Sequence, residues 1–476
     1  MTDLDVLLHG RLAGTVSEAH GSRATFVYSD EYLASTSPVP LSVSIPLAER
    51  PYDVEAWLDG LLSDNDQVRR RWASDYGVTS TRPSVLLGTP VGRDCAGAVQ
   101  FCRPADTAAV MNRTGVLHPL ADPDIGAIIA DLRTDVTGWN KNRTHTAFSL
   151  GGAQSKTALR FDAGRWSLPA GAACTTHILK PAAMRFPDLD VVEHLCQRAA
   201  RNLGIRAAST ECVYFGDQRA LVVARYDRAR LADGEWRRVH QEDMCQALGV
   251  PPAEKYQSDG GPAPSDIAGL VRRYSTNPEV DIRQFLDGLI YNWLIVNTDG
   301  HAKNYSLLID GGQVRFAPLY DLCSIIPYKV LEGRRLYVPK LKLAMKVGKD
   351  YTLEKTGSSS AWARLADQLG VSLSDTADRI GDLSERVDEA LTEAIDTLPA
   401  QARALPCVAD LRQGVSLRSV EGMNVSKRAA KTPQKHPTKR AVWERGAPLD
   451  RCTHIGVRSR KRCKLTKGHK SAHRYQ

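Results

Sequence analysis

The segment TDGHAKNYS, residues 298–306, directly follows an apolar run and concentrates charged and hydrogen-bonding side chains. Four residues separate Asp299 from Asn304 in this segment. In phosphoryl transfer, an Asp at this spacing accepts the proton of the attacking hydroxyl, while the Asn carboxamide binds a magnesium ion. Because this spacing is frequent by chance, the alternative is a loop-capping aspartate before Gly300. Asp299 is a candidate catalytic base only where further parts of such a site accompany it.

Two other segments supply a second carboxylate, a lysine and a partner for that lysine. Asp321 lies in RFAPLYDLC, at the predicted end of an apolar strand, where it would complete a magnesium site with Asn304. Lys180 ends the strand-like run THILK, which suits a lysine that pairs with nucleotide phosphates, and Glu193 in the following helix would hold it. Taken alone, Lys180 fits an exposed strand lysine and Glu193 fits a solvated helix residue.

A glycine turn precedes these residues at SLGGAQSK, residues 149–156, and is predicted to lie between two strands. Its backbone N–H groups could approach phosphate oxygens closely, although it matches neither GxxxxGK nor GxGxxG. The order along the chain is glycine turn, strand lysine, helix glutamate, Asp with Asn, and second carboxylate. Since phosphoryl transfer depends mostly on positioning and charge neutralisation, this order predicts that reaction.

The elements that must position these side chains are read from hydrophobic periodicity and turn residues. LDVLLHG, ATFVYS, SVLLGTP and GAVQF predict strands within residues 1–105, interrupted by a helix at PYDVEAWLDGLL. Strands resume after about residue 145, and helices are predicted at 188–203, 240–248, 265–274, 281–297 and 360–398. The fold class is therefore α+β, with a strand-rich half before a helix-rich half and a buried helix just before Asp299.

Together these features resemble the HipA family of serine/threonine protein kinases, the toxin halves of bacterial toxin–antitoxin modules. The resemblance is carried by SLGGAQSKTAL, TTHILK, QEDMCQALG, KYQSDGGP, TDGHAKNYS and PLYD, and more loosely by VLLHGRLAG, SIPL and GRDCAGAVQF. It implies a protein-kinase-like two-lobe fold, with a HipA N-terminal subdomain at 1–105 and a kinase core at 145–400. The strand-rich N-lobe would extend to about 230, and the helix-rich C-lobe would follow. QEDMCQ and the residues after it have no generic kinase meaning.

The resemblance also implies roles for single residues. Asp299 would be the catalytic base, and Asn304 and Asp321 would hold Mg²⁺. The residues expected to contact ATP are Gly151, Gly152, Ala153, Gln154, Ser155, Lys156, Lys180, Ala224, Arg225, Tyr226, His301, Ala302, Lys303, Asn304, Tyr320 and Asp321. The contact at Ala224 would be through the backbone, because the family commonly has Glu there.

Ser149 matches the serine that members of this family autophosphorylate. A phosphate adds roughly −1.5 to −2 charges and would compete with the phosphates of ATP, so it would eject the glycine turn and switch the enzyme off. The alternative is an ordinary serine at a strand end. By the same resemblance, the substrate would be a protein of the translation machinery, such as an aminoacyl-tRNA synthetase. The partner would be a small helix-turn-helix antitoxin that binds operator DNA.

Two other functions stay open at this point. A small-molecule phosphotransferase would share the Asp, Asn and Asp arrangement, although QEDMCQ and the Ser149 turn argue against it. A pseudokinase scaffold would tether an antitoxin to DNA through a basic tail, although every catalytic residue is present. A cytoplasmic protein without a membrane partner is expected, because no run of about 18 apolar residues and no signal-peptide pattern occurs.

The net charge of +9 is unevenly distributed. Residues 416–476 carry 17 Lys and Arg against 3 Asp and Glu, so the basicity belongs to the tail. Residues 416–450 are predicted to be a basic disordered linker. The final segment, 451–476, offers Cys452, Cys463, His469 and His473 as candidate ligands for a tetrahedral zinc, and His454 competes with them. The alternative is a disordered tail with free cysteines, and either form would attract nucleic acid or another polyanion.

Overall fold

The first sheet is antiparallel and five-stranded, in the order β4-β3-β2-β1-β5. Its strands are β1 (Thr2–Leu8), β2 (Arg11–Glu18), β3 (Thr25–Tyr28), β4 (Tyr52–Asp53) and β5 (Val99–Cys102). Four short helices accompany it: α1 (Asp30–Leu33), α2 (Glu55–Leu61), α3 (Asp66–Asp75) and α4 (Pro83–Leu87). The computed structural model describes residues 2–19, 22–135, 148–182, 186–328, 330–331 and 334–431. All of these lie within one compact unit.

One strand predicted in this N-terminal subdomain is wrong. SVLLGTP contributes to the helix α4, in which Pro83 occupies the first turn. Proline has no N–H to donate and a fixed φ, so it suits the first turn of a helix, where the N–H has no intrahelical partner. The buried Leu86 and Leu87 supply an apolar run that periodicity alone cannot distinguish from a strand over five residues.

The second sheet has six strands in the order β10-β11-β9-β7-β8-β6. They are β6 (Gly115–Leu120), β7 (Thr157–Asp162), β8 (Arg165–Gly171), β9 (His177–Lys180), β10 (Thr210–Phe215) and β11 (Gln218–Ala224). The helices nearby are α5 (Thr107–Met111), α6 (Asp122–Thr134) and α7 (Leu189–Asn202).

This lobe begins before residue 145, where the sequence placed its start. The edge strand β6 pairs with β8 over six residues, and Ile125 and Ile129 of α6 pack into the same core as Leu159 and Leu179. No strand was predicted at β6 because most of its side chains are exposed, so apolar and polar residues do not alternate there.

The helical half contains a three-stranded sheet, β14-β15-β16, and three short hairpins. Its strands are β12 (Arg228–Arg230), β13 (Trp236–Arg238), β14 (His240–Asp243), β15 (Ser306–Asp310), β16 (Gln313–Phe316), β17 (Val330–Leu331), β18 (Arg334–Arg335), β19 (Lys342–Val347) and β20 (Asp350–Thr352). Its helices are α8 (Met244–Leu248), α9 (Pro264–Tyr274), α10 (Pro278–Leu294), α11 (Leu353–Thr356), α12 (Ser359–Leu369), α13 (Leu373–Asp396), α14 (Ala400–Arg403) and α15 (Pro406–Ala430). None of the helices in the described ranges combines the length and apolarity needed to cross a bilayer.

The helix predicted at 240–248 is correct only in its second half. Its first four residues form β14, which pairs with β15, and only α8 is helical. Asp243 caps α8 by accepting a hydrogen bond from the N–H of Gln246 at 2.9 Å, and Gln246 returns a contact to the backbone of Asp243. This capping box starts the helix later than the apolar pattern suggested.

The helix α15 corrects the disordered linker predicted from residue 416, because it continues to Ala430 and lies along α13. Gly422 faces Ser384, and the hydroxyl of Ser419 donates to the carbonyl of Ser384 at 2.7 Å. Arg418 donates to the carbonyl of Trp293 at 3.1 Å. An interface built from small residues lacks a strong apolar stripe, so the sequence did not reveal it. The remainder of the predicted linker and all four candidate zinc ligands lie outside the described residues.

Close packing of α15 against α13 can be tested at Gly422. A Cβ there would lie 2.0 Å from Ser384 Oγ and 2.9 Å from its Cβ, so Gly422→Leu should lower the free energy of unfolding by about 1–3 kcal/mol. The matched control is Ser416→Leu on the exposed face of the same helix, which should have little effect. Chemical denaturation of both variants makes the comparison. Equal stability of the two would mean that α15 does not pack there.

Candidate active site

Asp299 follows the buried helix α10 and is held by a chain of side-chain amides. The N–H of Asp299 donates to Asn297 Oδ1 at 3.0 Å, and Asn297 Nδ2 donates to Asn292 Oδ1 at 3.0 Å. Asn292 Nδ2 in turn donates to the hydroxyl of Tyr305 at 2.9 Å. The backbone of Asp299 is thereby fixed to the core, while its side chain is 67% exposed. The structure thus presents this carboxylate to solvent on a rigid support.

Lys180 and Glu193 form a buried ion pair, which the partly exposed Asp321 joins. Lys180 Nζ lies 2.8 Å from Glu193 Oε1 and also donates to Asp321 Oδ1. Burial raises the pKa of Glu193, and Lys180 opposes this rise. Desolvation alone would raise the pKa of Asp321, but the charges of Lys180 and Lys156 outweigh it and lower the pKa to about 2. Asp321 therefore carries its charge at physiological pH.

Asp321 does not end a strand as predicted, because β16 ends at Phe316. Its position is set by backbone pairing instead: the N–H of Ala208 donates to the carbonyl of Leu319 at 2.8 Å, and the N–H of Leu319 donates to the carbonyl of Arg206 at 2.8 Å. Asp321 itself has a φ of 52°, a left-handed conformation that costs a non-glycine residue about 1–3 kcal/mol. The surrounding contacts hold this carboxylate towards Lys180.

Asn304 lies at the end of a 3-10 turn, Ala302–Asn304. Its Oδ1 is buried and has no hydrogen-bond partner among the described residues. The hydroxyl of Tyr320 donates to the carbonyl of Lys303 at 2.6 Å, which brings the residues preceding Asn304 and Asp321 together. Amide and carboxylate oxygens are ligands that Mg²⁺ prefers, and the Asn304 oxygen has no other partner among the described residues.

The glycine turn is docked on the N-terminal subdomain. Ser149 is buried, its hydroxyl donates to the carbonyl of Leu61 at 2.7 Å, and its N–H donates to the carbonyl of Asp94 at 2.9 Å. The hydroxyl of Ser63 donates to the carbonyl of Gly152 at 3.2 Å. Of the two strands predicted around the turn, the structure has β7 after it, and residues 136–147 before it lie outside the description.

Lys156 ends this turn and donates to the carbonyl of Gly151. Burial and the neighbouring charge of Lys180 lower its pKa to about 8. A partly buried lysine that pairs with no carboxylate of the described residues is suited to an anionic ligand. Among the other residues predicted here, Ala153 and Ser155 are in the same turn, and Gln154 Nε2 is buried without a partner in the described part of the chain.

Two of the residues predicted near the phosphates have other contacts. Lys303 Nζ lies 2.9 Å from Asp243 Oδ2 and 3.1 Å from the carbonyl of Gly60, so it joins the loop that carries Asp299 to the N-terminal subdomain. His301 packs edge-to-face on Tyr256 with ring centroids 4.9 Å apart, and its Nε2 lies 4.0 Å from Asp299 Oδ1. Burial lowers the pKa of His301, which favours the neutral imidazole.

The segment Ala224–Tyr226 leads from β11 towards the helical half. The N–H of Arg225 donates to the carbonyl of Thr176 at 2.9 Å, and the ring of Tyr226 lies 5.9 Å from that of Tyr320. The guanidinium of Arg225 is buried and pairs with Asp227 at 2.8 Å. This side chain is therefore part of the packing and is not available to a nucleotide.

Two models of the same family match most of the chain. The model of the HipA-like C-terminal domain matches residues 148–398, and that of the HipA N-terminal domain matches residues 4–102. The chain belongs to the HipA family. The two matched regions correspond to the N-terminal subdomain and to the lobes that carry Lys180, Asp299 and Asp321.

Relatives within the HipA family are named as kinases. The chain is 36% identical over 403 residues to "Putative kinase Y4mE" of Sinorhizobium fredii, covering 83% of this chain and 92% of that protein. It is 28% identical over 378 residues to "Serine/threonine-protein kinase toxin HipA" of Shewanella oneidensis, covering 76% of this chain and 82% of that protein. The chain is accordingly a kinase of the HipA family, and such kinases use ATP with a divalent cation.

A solved structure has the same fold. It is described as the "Shewanella oneidensis MR-1 Toxin Antitoxin System HipA, HipB and its operator DNA complex" and matches with a TM-score of 0.77 at 23% identity. The match covers 90% of this chain and 100% of the other. The predicted HipA-like two-lobe α+β fold is confirmed by this likeness.

Sequence reasoning missed a set of residues that join the HipA N-terminal subdomain to the kinase lobes. Asp94 is fully buried, and burial would raise its pKa, but three arginines lower the pKa well below its ordinary value. Those arginines all follow β11 in the sequence: Arg225, Arg228 and Arg238. The motif QEDMCQ was the part of the sequence that could have indicated these contacts. Its Glu242 accepts hydrogen bonds from the N–H of Val43 at 2.8 Å and from Trp57 Nε1 at 3.3 Å, both in the N-terminal subdomain.

The candidate metal ligands fall into two groups. Asn304 and Asp321 lie among the described residues, and the zinc candidates of the tail lie outside them. In the described part of the chain, no three His, Cys, Asp or Glu side chains cluster as a metal site would require. Asn304 and Asp321 are an amide and a carboxylate, and their unsatisfied oxygen fits the divalent cation of a kinase. The zinc candidates in the tail stay predictions.

Lys156 gives a pH dependence that can be measured. Its ammonium loses a proton as the pH rises through about 8, so a phosphate ligand bound there must restore the charged form. Raising the pH from 7.5 to 9 should weaken Mg-ATP binding by about five- to tenfold. Lys156→Arg stays charged at both pH values and should show no such fall. Calorimetric titration compares the two proteins, and an equal fall in the Arg variant would contradict a contact between Lys156 and phosphate.

Proposed function

We propose that this HipA-family kinase transfers the γ-phosphoryl group of ATP to seryl or threonyl hydroxyls of a protein, as the toxin of a toxin–antitoxin pair. The observation that carries the proposal is the contact of Lys180 with both Glu193 and Asp321. A lysine held by two carboxylates from two lobes is the arrangement that places nucleotide phosphates beside a metal-binding aspartate. The exposed carboxylate of Asp299 stands where a protein hydroxyl can reach it.

Each site residue then has a role. Asp299 would accept the proton of the attacking hydroxyl. Asn304 and Asp321 would hold a magnesium ion, which would supply positive charge at the phosphates. Lys180 and Lys156 supply positive charge at the phosphates, together with the N–H groups of the turn from Gly151. These roles are supported by the orphaned Asn304 Oδ1 and by the depressed pKa of Asp321.

The adenine is proposed to lie against the segment from Ala224 to Tyr226, with Tyr320 beside it. Tyr226 and Tyr320 have ring centroids 5.9 Å apart, and both rings line the junction of the two lobes. The Arg225 side chain is occupied by Asp227, so base recognition would use backbone groups. The role of Lys303 is support: its ammonium is held by Asp243 and anchors the catalytic loop.

Ser149 is the proposed autophosphorylation site. Its hydroxyl is buried against the carbonyl of Leu61, so no phosphate fits while the turn stays docked. Phosphorylation would force the turn away from the N-terminal subdomain and displace Lys156 from the nucleotide. The modified enzyme would then be unable to bind ATP productively.

The partners are proposed by likeness to the relatives. The matched Shewanella oneidensis structure is that of a HipA with HipB and operator DNA. We infer a helix-turn-helix antitoxin that restrains this chain and binds operator DNA, and a substrate in the translation machinery such as an aminoacyl-tRNA synthetase. The basic residues of 416–476 would add electrostatic attraction to DNA.

Transfer activity tests this function. The wild type with labelled ATP and Mg²⁺ should phosphorylate itself at Ser149, and Asp299→Asn should reduce the rate at least about hundredfold because the proton acceptor is lost. Ser149→Ala should remove the self-label but keep transfer to other proteins. Phosphoproteomics after expressing wild type and Asp299→Asn would identify the target as a seryl site seen only with wild type. Undiminished labelling in Asp299→Asn would contradict the proposal.

A further inference from the structure

The segment KYQSDGG, residues 255–261, belongs to the motif that general kinase chemistry leaves unexplained. It lies between α8 and α9 and contains a 3-10 turn, Gln257–Asp259. A Cβ on Gly261 would lie 1.9 Å from the carbonyl oxygen of Glu254, so only glycine allows the chain to close on itself here. The closed turn holds Tyr256 in a fixed position on the surface of the catalytic loop.

Tyr256 contacts the candidate catalytic base directly. Its hydroxyl donates a hydrogen bond to Asp299 Oδ1, and its ring packs edge-to-face against His301. Burial and the neighbouring charge of Asp299 raise the pKa of Tyr256 well above its ordinary value. The hydroxyl therefore stays protonated and acts as a donor throughout the neutral range.

The contact leaves the two oxygens of Asp299 in different environments. Oδ1 is engaged by Tyr256, whereas Oδ2 has no hydrogen bond from any residue that the structure describes. An aspartate that is 67% exposed would otherwise sample several side-chain rotamers. With one oxygen held, the other faces outward in a defined direction.

We propose that Tyr256 is a positioning residue for phosphoryl transfer, which fixes the Asp299 carboxylate so that its free oxygen meets the substrate hydroxyl. This inference rests on the proposed role of Asp299 as the proton acceptor. A base must lie within hydrogen-bond reach and correct orientation before its proton affinity matters. A small loss of orientation is sufficient to lower the rate of the chemical step.

The two neighbours of Tyr256 in the chain, Lys255 and Gln257, contact the N-terminal subdomain and the hairpin β19–β20. Lys255 Nζ lies 2.7 Å from Asp64 Oδ2, in the connection between α2 and α3. The carbonyl of Lys255 accepts from the N–H of Ala302 at 3.3 Å, and Gln257 Oε1 accepts from the N–H of Lys346 at 2.7 Å. The position of Tyr256, and with it that of the Asp299 carboxylate, therefore depends on three separate elements.

The test is Tyr256→Phe in the full chain, which removes only the donor. Transfer to a protein substrate should lose about tenfold or more in kcat, while the KM for ATP and the midpoint of thermal unfolding stay unchanged. In an Asp299→Asn background, the same substitution should cause no further loss, because there is no base left to orient. The matched control is Tyr274→Phe at the end of α9, whose hydroxyl makes no hydrogen bond to the described residues.

The outcomes separate this inference from the function on which it rests. A Tyr256→Phe enzyme within twofold of wild-type kcat, or one faster than wild type, would overturn the positioning role and leave the kinase function intact. Tyr256→Phe could instead raise the KM for ATP and lower the unfolding midpoint equally in the wild-type and Asp299→Asn backgrounds. That result would also overturn the positioning role, because it indicates a structural role. Wild type with no more transfer than Asp299→Asn would overturn both.

Discussion

The ammonium of Lys180 is the charge on which the rest of the site depends. It lies almost out of contact with water, and a buried charge costs several kcal/mol unless it is paired and hydrogen-bonded. Its two partners come from different parts of the chain, Glu193 from α7 and Asp321 from the segment after β16. Satisfying one cation therefore brings the strand-rich lobe and the helical lobe together. The same contact keeps Asp321 ionised.

The N-terminal subdomain is part of this site. It receives the glycine turn through Ser149 and Leu61, and it meets the loop that carries Asp299 through Lys303 and Gly60. Buried charges at the same boundary include Asp94, which accepts from three arginines. A kinase core separated from this subdomain would expose all of these groups. The HipA fold thus distributes the support of one active site over three elements of the chain.

Much of this site could be predicted from the sequence because its signals are local. The sequence placed Asp299 after a buried helix and Lys180 at the end of a strand before the helix that carries Glu193, and the structure has these placements. Contacts across long distances in sequence left no such signal. Tyr256 meets Asp299 across 43 residues, and the pairing of Asp243 with Lys303 spans 60.

The elements of the fold, too, could be predicted only where the signal was local in the sequence. Amphipathic α7 and buried α10 were predicted because their apolar residues repeat at helical spacing. The helix α15 was missed because Gly422 and Ser419 contact α13 through small groups, and α4 was misread because five residues are too few to show a period. Packing by small side chains and pairing of distant charges are properties of the assembled structure.

The central claim is that Lys180 must be held by Glu193 to serve phosphoryl transfer. Single-turnover transfer by Glu193→Gln measures this most directly. The variant should bind Mg-ATP but transfer at least about tenfold more slowly, since the lysine is left with Asp321 alone. The double variant Lys180→Met with Glu193→Gln should regain stability without regaining activity. A Glu193→Gln enzyme that transfers at the wild-type rate would contradict the account.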